Sequence, residues 1–138
     1  MIWMDSGPLI ALMNKNDPYN ERSHQELRRL PKVPFWTTWP CVVEVMYMLH
    51  RAAGFQGQSK FWQLLLSGDL QLHTTSESEL FRCADLMSKY ADLPMDMANA
   101  TLVAAAEVTG AYRLWTFDQH FRAYVLHENK QMELVPSL

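Results

Sequence analysis

Residues 95–107 read MDMANATLVAAAE, and the run from Leu102 to Ala106 makes this segment apolar on nearly every side. A helix that is hydrophobic all round is typical of a buried position. The segment therefore predicts a central helix from about Met97 to Val108, and Gly110 fits its C-terminal end. Residues 112–116, YRLWT, suit a strand directly after that helix.

The rest of the chain alternates short apolar runs with helical patterns. Further strands are predicted at residues 1–4, 35–38, 70–74 and 132–135. Further helices are predicted after Asp5, Asp17, Pro40 and Ser76, with one more around residues 61–65 and a short helical piece at residues 119–123.

Two of these helices have apolar faces that the spacing predicts. The helix after Pro40 is expected to be interrupted by Gly54 and Gly57, and to place on one side Val43, Met46, Tyr47 and His50. The helix after Ser76 has capping-box spacing with Glu79. Its apolar face is expected to consist of Leu80, Cys83, Met87 and Tyr90.

Short strands separated by helices imply parallel pairing with right-handed crossovers. The expected fold class is α/β: a three-layer α/β/α sandwich with a parallel central sheet, formed by one domain over residues 1–138. In such sheets, ligands bind beyond the carboxyl ends of the strands. We therefore expect the functional side chains at that edge.

The composition fits one folded domain and argues against several classes of protein. The 138 residues are 49% hydrophobic, so disorder is not expected. The net charge of -3 gives no overall basic signature for nucleic acid, although it leaves room for a local basic patch. Cys41 and Cys83 form no metal-binding spacing and are interpreted as reduced core thiols of a cytoplasmic protein. The N-terminus has the features of neither a signal peptide nor a membrane anchor.

Four acidic residues lie near the ends of successive elements: Asp5, Glu44, Asp96 and Asp118. Taken singly, each Asp has an alternative role as a helix N-cap, which stabilises by ~1 kcal/mol relative to Ala. Glu44 lies among apolar residues and needs a partner, for which an Arg would suffice. Together, the four carboxylates could converge at the carboxyl edge of the sheet and hold a divalent metal ion.

This arrangement resembles the PIN-domain family of metal-dependent ribonucleases, in particular the VapC-like toxins of type II toxin–antitoxin systems. The resemblance covers nearly the whole chain, and it depends on the order and spacing of four short motifs. They are Asp5-Ser6 after the first strand, Glu44 in the third helix, LPMDMANATLVA at residues 93–104 and TFDQHF at residues 116–121.

The resemblance implies an acidic cluster that binds Mg²⁺ or Mn²⁺ and cleaves RNA. It also implies a homodimer, and a small antitoxin partner whose C-terminal segment occupies the acidic groove. Asp5, Glu44 and Asp118 carry over directly as members of the cluster. Ser6 and Thr116 occupy the family's hydroxyl positions beside the first acid and before the last, where they would donate hydrogen bonds.

One position departs from the family pattern. The third acid usually precedes the Ala that begins the small-residue run, and here that position is Asn99, with Asp96 three residues earlier. Positions three apart share a helix face, so Asp96 could reach the same metal. The expected ligands are therefore Asp5, Asp96, Asn99 and Asp118, with Asn99 binding through its uncharged amide oxygen. The alternative is a catalytically silent PIN-like domain that binds RNA or a protein.

Several basic residues are candidates to contact RNA phosphates, although each could equally lie on a solvated helix face: Arg22, Arg28, Arg29, Arg51 and Arg122. No histidine pair has the HExxH spacing, and His120 is interpreted as a surface residue. A phosphoacceptor receiver domain also gathers acids at strand ends. It needs paired acids after its first strand and a late lysine, whereas Asp5 stands alone and Lys130 follows no strand-like run.

Overall fold

The computed structural model of the protein describes residues 1–136. Its five strands are β1 Ile2–Met4, β2 Phe35–Thr38, β3 Leu70–His73, β4 Arg113–Trp115 and β5 Glu133–Val135. Its helices are α1 Ser6–Met13, α2 Asn20–Arg29, α3 Trp39–Ser67, α4 Glu77–Lys89 and α5 Met97–Thr109. Two 3₁₀ turns follow β4, at Gln119–Arg122 and His127–Asn129.

The five strands form one parallel sheet in the order β3-β2-β1-β4-β5. The first strand is therefore central, with Trp3 beside Trp36 of β2 and Leu114 of β4. Each predicted strand is present to within a residue or two of its predicted ends. The expected α/β class with a parallel central sheet is confirmed.

Side chains alternate across the sheet and divide the core into two layers, as the strand geometry requires. Trp3 and Leu114 pack on the side of α4 and α5, where α5 is buried along most of its length. Ile2, Met4 and Trp115 pack on the other side, which is covered by α1, α2 and α3. The helices thus lie on both faces of the sheet, and the three-layer sandwich is confirmed.

The predicted interruption of the third helix is right at one glycine and wrong at the other. Gly54 has φ 61° and ψ −152°, which breaks the helical run of α3. Gly57 is buried inside the helical part, where a Cβ would lie 3.0 Å from the carbonyl oxygen of Leu49. Gly57 therefore permits a close approach of two turns. The segment predicted as a fourth helix, around residues 61–65, is helical and follows the break at Gly54 within α3.

The predicted apolar face of the third helix is wrong. Val43 and Tyr47 are 65% and 61% exposed, and the buried face consists instead of Cys41, Val42, Val45 and Leu49. In α4 the capping box of Ser76 and Glu79 is present, but Leu80 is exposed. Glu79 takes the buried position because its carboxylate also meets the ring of His73, at 2.8 Å.

The carboxyl edge of the sheet gathers the chain segments that carry the candidate residues. Asp5 directly follows β1 and caps α1, and Asp118 lies just beyond β4 and caps the first 3₁₀ turn. Cys41 and Cys83 are free and buried. No helix among the described residues combines the length and the hydropathy that crossing a membrane requires.

Candidate active site

All five residues predicted from the acidic motifs line one cavity at the carboxyl edge of the sheet. The cavity has a volume of about 280 Å³, and it is lined by Asp5, Ser6, Gly7, Glu44, Asp96, Asn99, Phe117 and Asp118. Four elements contribute to it: the start of α1, the first turns of α3, the start of α5 and the segment after β4. Residues 113 positions apart in the chain therefore share one site.

Asp5 is the most deeply buried of the acids, at 6% exposed. Its Oδ1 accepts a hydrogen bond from the Ser6 N–H at 2.8 Å, and its Oδ2 accepts one from the Thr116 hydroxyl at 2.6 Å. Burial raises the pKa of Asp5 to about 6, although both hydrogen bonds oppose this, and the negative charges of Glu44 and Asp96 raise it further.

Glu44 lies on the exposed side of α3, and Ser6 links its carboxylate to that of Asp5 by hydrogen bonds. The Ser6 hydroxyl donates to Glu44 Oε1 at 2.6 Å, while the Ser6 N–H donates to Asp5. One small residue thus holds two carboxylates of the cavity. The polar partner expected for Glu44 is therefore the hydroxyl of Ser6 and not an arginine.

Thr116 links the first and last acids in the same way. Its hydroxyl donates to Asp5 Oδ2 and accepts the backbone N–H of Asp118 at 2.9 Å. The structure therefore places both predicted hydroxyl residues, Ser6 and Thr116, directly behind the acids. Thr116 directly follows β4 and Ser6 is the first residue of α1, so both positions are fixed by the strands that precede them.

Asp96 is the N-cap of α5, the alternative role considered for this residue in the sequence. Its Oδ1 accepts the Asn99 N–H at 2.8 Å at the N-terminus of α5. The cap also keeps its carboxylate at the cavity, which Asp96 lines together with Asn99. Capping and a place in the site are thus compatible for this residue.

Asn99 presents a hydrogen-bond donor to the acidic side chains of the cavity. Its Nδ2 donates to Asp118 Oδ2 at 3.0 Å and to the hydroxyl of Tyr124 at 3.2 Å. Amide orientation is assigned from such networks, and this orientation leaves Oδ1 without a hydrogen-bond partner among residues 1–136. The amide oxygen that was predicted to bind a metal is therefore not engaged by the protein.

Tyr124 is a residue of the site that sequence reasoning missed. It is fully buried, and its hydroxyl donates to the carbonyl of Pro94 at 3.2 Å while it accepts from Asn99. Burial raises the pKa of Tyr124, and the charges of Asp118, Asp96 and Asp5 raise it further, so the phenol stays neutral. Its position in a short loop between two 3₁₀ turns gave no periodic signal that could have singled it out.

Asp118 is partly exposed and has a basic neighbour in His120. Its Oδ1 accepts the His120 N–H at 2.9 Å and lies 3.2 Å from His120 Nδ1. His120 is exposed, as predicted, but it is also a neighbour of the site. A protonated His120 would offset part of the charge of Asp118.

The oxygen donors at the cavity fit a hard divalent cation. Its lining offers carboxylate and amide oxygens, and no Lys or Arg of the described residues belongs to that lining. Across residues 1–136, however, no three His, Cys, Asp or Glu side chains stand close enough together to hold one ion as arranged here. The two observations agree if few protein ligands bind the ion, because Mg²⁺ is usually held by one or two carboxylates with water and substrate phosphate.

None of the five candidate arginines lines the acidic cavity. Arg22 and Arg122 line a neighbouring cavity, which has Thr116 and Phe117 in its wall. Arg29 lies farther along α2 beside Arg113. Arg28 and Arg51 are exposed, and the guanidinium of Arg51 lies over the ring of Tyr47.

Solved structures with a similar fold include a toxin and two DNA-bound VapBC proteins. VapC20 from Mycobacterium tuberculosis, a sarcin-ricin loop cleaving toxin, matches with a TM-score of 0.81 and 17% identity over 89% of this chain and 94% of that chain. A chain of VapBC2 from Rickettsia felis, bound to a promoter DNA fragment, matches with a TM-score of 0.65 and 18% identity over 97% and 98% of the two chains. DNA-bound VapBC from Salmonella typhimurium matches with a TM-score of 0.63 and 12% identity over 96% of each chain.

No family model matches this sequence, and no curated protein matches it either. At these identities the structural likeness establishes the fold. The chain has the PIN-like fold of the VapC toxins, and the predicted resemblance is confirmed at that level.

Proposed function

We propose that the protein is a VapC-like endoribonuclease that uses Mg²⁺ or Mn²⁺ to hydrolyse RNA phosphodiester bonds. The observation that carries this proposal is the acidic cavity, in which four carboxylates meet at the carboxyl edge of the sheet with no Lys or Arg of the described residues in its wall. Like charges held together repel one another, so such an arrangement favours a bound cation. The fold shared with VapC20 supports the same reaction class.

The candidate ligands of the ion are Asp5, Asp96, Asn99 and Asp118, of which one or two at a time would bind it together with water and substrate phosphate, with Glu44 at the rim. When bound, Mg²⁺ or Mn²⁺ would lower the pKa of a coordinated water and offset the charge that develops on the phosphoryl group. The chain's own contribution is to fix the carboxylates. Ser6 holds Asp5 and Glu44, and Thr116 holds Asp5 and the backbone of Asp118.

Asn99 and Tyr124 set the charge of the site. An Asp at position 99 would bring one more negative charge, whereas the Asn99 amide donates to Asp118 Oδ2 and occupies that oxygen. Tyr124 orients the amide through its hydroxyl. The protein thus keeps four carboxylates at the cavity, and one oxygen of Asp118 already accepts a hydrogen bond from the Asn99 amide.

The same contact supports a second candidate function. The Asn99–Asp118 hydrogen bond withdraws an oxygen from metal binding, which would suit a catalytically silent PIN-like domain that binds RNA or protein without cleaving it. The two candidates differ in one measurable respect. An active enzyme turns over RNA in the presence of divalent ions, and a silent domain binds it without turnover.

The experiment is an RNA cleavage assay of the wild-type protein and Asn99→Asp, each with Mg²⁺, with Mn²⁺ and with excess chelator. The proposed enzyme gives cleavage by wild type that requires either ion and stops with chelator. Cleavage by Asn99→Asp alone would identify the silent domain. Cleavage that persists in chelator would contradict both.

The proposed partners follow from the same comparison. We propose that RNA is the substrate and that a small antitoxin protein covers the acidic cavity, since two structural neighbours are VapBC complexes. A cytoplasmic homodimer is also proposed. Its support is the exposed apolar side of α3, where Trp39, Val43, Tyr47 and Met48 are all at least 40% exposed.

A further inference from the structure

A second cavity adjoins the acidic one at the same edge of the sheet. It has a volume of about 180 Å³ and lies between α2, the end of β4 and the 3₁₀ turn at Gln119–Arg122. Phe117 lines both cavities. The two cavities therefore share a wall at Phe117, and a chain of nucleotides in the acidic cavity would reach the second cavity beside that side chain.

Two arginines in this second cavity are held in place by neighbouring side chains. Arg22 Nε donates to Glu26 Oε1 at 2.9 Å, and Arg122 Nε donates to Gln119 Oε1 at 2.6 Å. Neither arginine uses its terminal nitrogens in a hydrogen bond to any residue of 1–136. Both guanidinium groups are thus oriented through Nε and keep the paired N–H donors that match a phosphate.

The charge of the second cavity is opposite to that of the first. Among residues 1–136, the lining contains two guanidinium groups and one carboxylate, that of Glu26, so these residues contribute a net positive charge. The acidic cavity carries four carboxylates. An anion is therefore favoured in the second cavity and a cation in the first, at positions separated by Phe117.

Aromatic side chains in the wall add a surface for a base. Tyr19 is 49% exposed, lies 5.3 Å from Phe117 between ring centroids and has the Arg22 guanidinium 5.9 Å from its ring. Exposed aromatic rings beside cationic groups are the usual platform for bases of single-stranded nucleic acid. Trp115, also in the wall, has a buried indole N–H with no hydrogen-bond partner among the described residues.

We propose that the cavity of Tyr19, Arg22 and Arg122 is a nucleotide subsite, in which a phosphate of the RNA lies between the two guanidinium groups and a base stacks on Tyr19. This inference rests on the proposed function, because it places the subsite one step along the RNA from the phosphodiester in the acidic cavity. The combination of a charged cleft and an aromatic platform favours RNA over an acidic peptide, which would supply no base to stack.

The test measures the binding of a short single-stranded RNA of mixed sequence in excess chelator, where cleavage is suppressed. Arg122→Gln is compared with Lys32→Gln, which removes the charge of an exposed lysine that lines neither cavity. We expect Arg122→Gln to weaken binding roughly tenfold, as the loss of one charge-assisted contact does. The slope of log K against log salt should fall by about 0.7, because one phosphate contact on a single strand is lost. Lys32→Gln should change neither quantity.

A second variant addresses the aromatic platform. Tyr19→Leu keeps an apolar side chain and removes the ring, so it should weaken RNA binding while leaving the salt slope unchanged. Melting curves of each variant establish that it is folded. The subsite would be overturned if Arg122→Gln bound RNA like Lys32→Gln, or if it lost affinity only for an acidic peptide and not for RNA.

The outcome separates this inference from the proposed function. Wild-type cleavage that requires Mg²⁺, with Arg122→Gln indistinguishable from Lys32→Gln in binding and in KM, would leave the nuclease intact and exclude the subsite. Binding that depends on Arg122 and Tyr19 in a protein that cleaves nothing would support the subsite and exclude the nuclease.

Discussion

Asp5 illustrates at the scale of one residue how burial in the site disfavours the charged form of a carboxylate. In the folded protein its pKa is raised from 3.8 to about 6, mainly by burial. The folded state therefore binds this proton more tightly than the unfolded state. The stabilisation from protonation is fully present below about pH 3.8, and it is lost as the pH rises through about 6.

A stability comparison across pH tests this account of Asp5. In chelator, the free energy of unfolding of the wild type should fall relative to that of Asp5→Asn by ~2 kcal/mol between pH 4 and pH 7, since Asn does not titrate. Chemical denaturation at both pH values measures the difference. A constant difference between the two proteins would show that Asp5 is not perturbed by its surroundings.

Position 99 decides how much charge the cavity contains. In chelator, Asn99→Asp should lower the melting temperature, because another carboxylate joins Asp5, Asp96 and Asp118. Added Mg²⁺ should raise the melting temperature of Asn99→Asp more than that of the wild type, since a ligand specific for the folded state stabilises by mass action. Equal shifts in the two proteins would remove position 99 from the metal site and leave Asp96 as the third acid.

Candidate residues that follow strands or begin helices could be predicted from the sequence. Tyr124 could not, because its place beside Asn99 depends on a tertiary contact. Asp5, Ser6 and Thr116 stand at element ends, where the direction of the chain fixes their surroundings. Tyr124 reaches Asn99 only through packing between segments 25 residues apart. No local pattern encodes that contact, so propensity and spacing could not have predicted it.

At the scale of elements, α3 shows the limit of periodicity. Its predicted apolar face contained Val43 and Tyr47, which the structure exposes, because the helix carries apolar residues on more than one side. Periodicity identifies the buried face only where the remaining faces are polar. The capping box of α4 was predicted correctly, since it depends on two side chains three residues apart.

Gly54 gives a test at this scale. Its φ of 61° with ψ −152° is a conformation that side-chain-bearing residues rarely adopt, and a Cβ there would contact nothing within 4 Å. Gly54→Ala should therefore destabilise by ~1–3 kcal/mol through backbone strain alone. The exposed substitution Gln56→Ala on the same helix should change stability by about 0.5 kcal/mol at most. Chemical denaturation of the three proteins compares them, and equal stabilities would mean that α3 has no break at Gly54.

At the scale of the whole molecule, strand and helix alternation predicted the fold class because parallel strands need crossover helices. The position of the site followed from that class alone, since the carboxyl edge collects the strand ends. The second, positively charged cavity did not follow, because Arg22 and Arg122 come from segments one hundred residues apart and meet only in the folded chain. Each looked like an ordinary surface arginine in the sequence.

The most direct test of the acidic cavity as a nuclease site is cleavage of single-stranded RNA in Mg²⁺ by the wild type, Asp118→Asn and Asp85→Asn. Asp85 is exposed on α4 and outside the lining of the acidic cavity, so its substitution controls for the loss of one charge. We predict that the wild type and Asp85→Asn cleave at the same rate. Asp118→Asn should be slower by roughly a hundredfold or more, which is the usual effect on the rate of losing one electrostatic contact to the reacting centre. Cleavage by Asp118→Asn at the wild-type rate would contradict the account.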